Sequence, residues 1–170
     1  DLKSNWVKAG YDRGVPMGSD LKPAANGAPK FIVQALKDPM GANLDRLQVV
    51  KGWVDKAGKL HEQVYDVVWS DMAKRPKGAN GKVPAVGDTV DIATASYKNS
   101  IGAPELMSVW TDPDFDPSIR AFYYVRVLEI PTPRWVLFDA LRYKAKLLPE
   151  TELKSQERAY TSPIWYQPKV

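Results

Sequence analysis

Histidine and cysteine, the residue types that most often carry chemistry, are almost absent: the chain holds one histidine, His61, and no cysteine. Without thiols there are no disulfides, thiolate zinc sites or cysteine nucleophiles. A Ser-His-Asp constellation would have to use His61, and no serine stands in a Gly-x-Ser-x-Gly elbow. The run Gly14-Val15-Pro16-Met17-Gly18-Ser19-Asp20 is neither such an elbow nor a phosphate loop, since no Gly-Lys-Ser/Thr follows. His61 is therefore expected as a surface or half-buried strand histidine. The remaining cluster is Asp112, Asp114 and Asp116. Carboxylates at alternate positions open calcium loops, because a hard cation takes clustered oxygens. Here the sixth position is Pro117 and the twelfth Tyr123, where an EF-hand needs Gly and Glu. The EF-hand reading fails. The favoured reading is a turn built by Asp and Pro, with a calcium site of another type as the weaker candidate.

Three further motifs invite a functional reading. Arg134-Trp135 could form a cation–π pair or a ligand platform, against a plainer reading as a helix start with a core tryptophan. Lys74-Arg75-Pro76-Lys77 could bind phosphate, but it is short and lies among turn formers, so a solvated loop is expected. Tyr123-Tyr124-Val125-Arg126 mixes aromatic and basic residues as nucleic-acid stacking surfaces do. Strand alternation accounts for it better. The net charge of +4 is scattered rather than gathered in a stripe, and no nucleic-acid partner is expected. No run of about 18 apolar residues is present, so no membrane-spanning helix is expected.

The elements that must position these residues are mostly strands. Aromatics make up 11 % of the 170 residues, with six Trp and eight Tyr, which favours strands and large-area packing. Gly and Pro punctuate residues 1–29, an irregular lead-in with at most a short helix or turn at Trp6–Gly10. Strands are expected at Lys30–Lys37, Arg46–Val54 and Lys59–Trp69. The last two form a hairpin around Asp55-Lys56-Ala57-Gly58. A loop spans 70–88, and further strands are expected at Thr89–Ala93 and Glu105–Thr111. Ala121–Ile130 is the strongest strand, with Tyr123, Val125 and Val127 on one face and Pro131 and Pro133 expected to stop it. Trp135, Phe138, Leu141 and Arg142 have helical spacing, placing a short helix over 135–143. Residues 144–157 read as a loop, and Arg158–Tyr166 as a last, edge-type strand containing Pro163. The whole predicts a mainly β chain: an antiparallel two-sheet sandwich of immunoglobulin/fibronectin-like type over 30–170, with long loops. Tyr123 stands two residues before the core position Val125, as in the tyrosine corner of such sandwiches.

Longer blocks of the sequence carry a resemblance. They include Ala35-Leu36-Lys37-Asp38-Pro39, Val50-Lys51-Gly52-Trp53, Val109-Trp110-Thr111-Asp112-Pro113-Asp114-Phe115-Asp116-Pro117, the stretch from Arg120 to Trp135, and Gln156 to Tyr166. Together they resemble the C-terminal portion of a bacterial protein family catalogued as domain of unknown function number 3604. The resemblance implies an exported protein, periplasmic or secreted, whose upstream part is similar to metal-dependent hydrolases of the PHP and amidohydrolase type. None of the His- and Asp-rich ligand motifs of such hydrolases maps onto this chain. The chain begins at Asp1 without Met and is expected to continue upstream. The expected role is a non-catalytic accessory domain without cofactor, packed on the upstream domain of the same polypeptide. Trp6, Arg134, Trp135 and the Asp112–Asp116 turn are the contact candidates, and an exposed apolar patch is expected on the isolated chain. The alternative is a free-standing module that binds carbohydrate or another envelope ligand on exposed Trp and Tyr rings.

Overall fold

The computed structural model describes residues 5–21 and 27–168. The parts of the lead-in at 1–4 and 22–26 lie outside the described residues. Elsewhere the lead-in is more regular than expected. Helix α1 runs over Trp6–Arg13, and a two-residue strand β1, Asp20–Leu21, follows. The remaining strands are β2 (Lys30–Leu36), β3 (Leu44–Val54), β4 (Leu60–Trp69), β5 (Glu105–Thr111), β6 (Ala121–Pro133), β7 (Lys154–Tyr160) and β8 (Ile164–Tyr166), with helix α2 at Trp135–Tyr143. The chain is mainly β, 40 % strand and 11 % helix, arranged as two sheets in an open sandwich with one short helix after β6.

The large sheet has the order β1-β8-β6-β3-β4, with β7 also on β6, and the small sheet is the antiparallel pair β2-β5. Pairing is antiparallel except between β1 and β8. The core lies between the sheets. Phe31 and Val33 from β2 and Leu106 from β5 meet Leu47, Val49, Ala121 and Tyr123 from the large sheet. Val125 and Val127 continue that face of β6, as the alternation predicts. The β3–β4 hairpin forms as expected. Asp55 N–H donates to Lys59 O, Gly58 N–H donates to Asp55 O, and Gly58 takes φ 81°, which only glycine adopts cheaply. β3 has strands on both sides and the small sheet over one face, and it is buried along nearly its whole length, Asp45 and Lys51 included.

Several expectations are corrected. β6 does not stop at Ile130 but runs through Pro131 to Pro133. Glu129 is its last residue paired with β3, though Ile130 N–H still donates to Asn43 O, and its register with β7 shifts between Leu128 and Pro131; strand ends and bulges of this kind tolerate a missing N–H. The expected loop 144–157 contains the start of β7. Its Lys-Ser-Gln-Glu-Arg run lacks apolar alternation and joins the sheet through backbone pairing with β6. The expected strand Arg158–Tyr166 is broken at Thr161–Pro163 into β7 and β8, which lie end to end along β6. Thr161 bridges the gap: its N–H donates to Val125 O and its Oγ1 accepts from Val125 N–H. Thr89–Ala93 is not a strand. Asp88 and Asp91 each accept a hydrogen bond from the N–H two residues on, which folds the segment into turns with a single bridge between Asp91 and Ser96.

Candidate functional site

The aspartate-rich turn is built inward, onto a lysine. Lys51 Nζ lies 2.6 Å from Asp112 Oδ2, and the two side chains are 6 % and 0 % exposed. The same ammonium donates to Asp114 O at 2.7 Å and sits 5.3 Å from the Trp53 ring centroid. Asp112 also accepts from Tyr123 Oη at 2.7 Å and from Asp114 N–H at 2.9 Å. Asp114 instead receives Tyr65 Oη at 2.7 Å, and Asp116 receives Ser118. Burial, then the hydrogen bond to a carboxylate, pushes both phenols above the ordinary tyrosine value. The three aspartates thus point to three different partners. Among the described residues no group of three or more His, Asp or Glu side chains is placed to hold a metal ion. The positive charge at this corner is the lysine's own. Tyr123 does the work of a tyrosine corner through a side-chain acceptor. A backbone acceptor is used by Tyr166, whose Oη donates to Pro117 O at 2.9 Å.

Of the basic run 74–77, which otherwise is an exposed loop as expected, Arg75 alone is turned inward. Arg75 is buried, and its guanidinium donates to Asp45 Oδ1 (2.8 Å), Ser70 O and Oγ, and Pro84 O. Asp45 also takes Arg46 Nε at 2.9 Å. Lys77 donates to Asp66 O and lies over the Trp69 ring. The run is therefore the clasp that holds the 70–88 loop on the sheet. No residue pattern in the run announces this, since Asp45 is 30 positions upstream.

His61 stands on β4, half-buried, stacked on Trp53 with centroids 5.1 Å apart and Nε2 2.7 Å from Asp55 Oδ2. Asp55 also accepts the N–H groups of Ala57 and Lys59. The imidazole hydrogen bond, then those N–H bonds, hold its carboxyl below the ordinary value. This is a hairpin-turn anchor.

The contact candidates fall apart in space and in exposure. Trp6 is half-buried and lines a cleft of about 520 Å³ with Phe31, Val33 and Val125. Arg134 caps α2 from an extended conformation and makes a 3.5 Å ion pair with the exposed Glu152, a kind worth little in water. Trp135 is not a core residue: it is 69 % exposed, with Phe138 at 50 % and Leu141 at 44 %. Only Leu137 of α2 is buried. The apolar stripe that marks the helix in sequence faces outward.

A second open feature lies at the other end of β6. A groove of about 680 Å³ is lined by three consecutive residues from each of β3, β4, β6 and β8 or the positions that adjoin them. Trp165 in it is 47 % exposed. Sequence reading passed over this place because it exists only through the register that sets Gly52 beside Phe122 and Phe122 beside Trp165.

No match is found among curated proteins or among solved structures. Residues 1–168 match the sequence model of the family described as Protein of unknown function (DUF3604), and the chain belongs to that family.

Proposed function

We propose that this chain is a non-catalytic accessory domain of a larger exported polypeptide and packs on an upstream domain of metal-dependent hydrolase type. The observation that carries the reading is the outward apolar stripe of α2. Three large apolar side chains on nine residues of helix lie outside this chain's core cluster and are about half or more exposed. Exposed apolar surface of that kind marks a contact face. Covering the Trp135 and Phe138 rings would stabilise a docked state by about 1.5–3 kcal/mol each at full burial.

The non-catalytic part draws support from occupancy. The one imidazole is engaged by Asp55 and Trp53, and the two buried aspartates by Arg75 at Asp45 and by Lys51 and Tyr123 at Asp112. The exported location and the hydrolase-type neighbour rest on the family resemblance.

The test compares hydrogen exchange of α2 in the isolated chain and in the full polypeptide encoded around it. The expected result is slower exchange at 135–143 in the longer polypeptide. Trp135→Ser with Phe138→Ser should erase the difference while lowering the isolated chain's stability by no more than about 2 kcal/mol, since both rings are only partly covered. Equal exchange in both settings, or metal-dependent hydrolysis by the isolated chain, refutes the reading.

A further inference from the structure

The groove at the Ala121 end of β6 is independent of α2. Thirteen strand residues at about 3.3 Å each put roughly 40 Å of strand between them. Pairing aligns Glu62, Gly52, Phe122 and Trp165 in one row across β4, β3, β6 and β8. Residues aligned in this way share a face. It is the face away from the core, because Tyr123 and Ala121, their neighbours on β6, are the ones packed inside.

Gly52 shapes the floor. A Cβ there would lie 2.2 Å from Phe122 Cζ, so the missing side chain is what lets the Phe122 ring lean across β3. Trp165 adjoins it at 5.3 Å between centroids with the two rings tilted by 50°, and Tyr124, two residues on along β6 and outside the groove, packs nearly parallel to Phe122 behind it. The result is an aromatic floor of neighbouring rings, half open to solvent at Trp165. Its volume falls within the range of small-ligand sites.

The rim decides the ligand's charge. Arg120 and Glu62 are both exposed lining residues, and among the described residues neither has an ion-pair or side-chain hydrogen-bond partner. A ligand of either sign would meet a like charge on one side. A polyol, whose hydroxyls both donate and accept, satisfies guanidinium, carboxylate and the Gln167 amide together. The C–H face of a pyranose ring is apolar and flat enough to lie on Trp165, with the tilted Phe122 ring closing against its edge.

We propose that this groove binds a neutral sugar unit of a polysaccharide, stacked on Trp165 against the edge of Phe122 and held at its hydroxyls by Arg120 and Glu62. The proposal does not depend on the accessory role, since it uses the opposite end of β6.

The test is affinity gel electrophoresis of the 170-residue chain in hydroxyethyl cellulose, xylan, glucomannan and soluble chitin, with alginate as a polyanion control. The expected result is retardation by at least one neutral polymer. Affinity should fall at least about tenfold in Trp165→Ala and in Glu62→Gln with Arg120→Ala, and stay unchanged in Trp135→Ala. Because these side chains are exposed, unchanged urea midpoints will show that the variants fold. Failure of every neutral polymer to retard the chain overturns the proposal. So does retardation by alginate alone, or binding that survives both groove variants.

Discussion

Replacing Lys51 by Met leaves the Asp112 carboxylate, which has no solvent exposure, without its counter-charge. Two donors remain, Tyr123 Oη and Asp114 N–H, and neither carries charge. Breaking a buried pair by removing one partner costs about 3–5 kcal/mol, against about 0–1 kcal/mol for an exposed pair. In a domain of this length each kcal/mol moves Tm by about 2–4 °C, so Lys51→Met should lower Tm by roughly 10 °C. Adding Asp112→Asn removes the stranded charge; its Oδ1 can still accept from Asp114 N–H while its Nδ2 donates to Tyr123 Oη, a hydroxyl that can also accept. The double variant should therefore recover about 2 kcal/mol or more relative to the sum of the singles. The assay is urea unfolding followed by tryptophan fluorescence, with an unchanged slope required before stabilities are compared. A Lys51→Met cost below about 1 kcal/mol, or additivity of the two substitutions, would refute the reading of this corner as a buried ion pair.

Asp55 has its folded-state pKa depressed, so its contribution to stability is present above the ordinary carboxyl value of 3.8 and is lost as pH falls below it towards the folded value. Asp55→Asn should flatten the acid limb of stability below pH 3.8; parallel acid limbs in wild type and variant would contradict the anchor role of the carboxylate. At the clasp, Arg75→Lys should not rescue Arg75→Met, because an ammonium cannot fork to Asp45, Ser70 and Pro84 at once. Both variants should open 70–88 to limited proteolysis, and a protease-resistant, fully stable Arg75→Lys protein would show that the fork is dispensable.

Features whose cause is local were legible in the sequence. The β3–β4 hairpin follows from alternation plus a four-residue turn closed by glycine, α2 from its 3.6-residue period, and the inner face of β6 from Tyr123, Val125 and Val127. The scarcity of imidazole and thiol was also plain. Sheet order, register and layering were not, because they join residues far apart in the chain. Only β3's central place makes Asp45 and Lys51 buried charges that need Arg75 and Asp112. Only the fold sets Pro131 and Pro133 past the last β3 partner of β6, beside a register shift with β7, where a strand can pass through them. The helical period located α2's stripe but could not say whether it met the core, and the fold turns it outward. The groove, likewise, has no sequence signature: Gly52 and Phe122 are 70 residues apart, and it is cross-strand pairing that lays the ring over the glycine. Composition and period specify which elements form and what chemistry is unavailable. Burial is a property of the assembled layers, so tertiary structure decides which charges pair inside and which aromatic faces stay open.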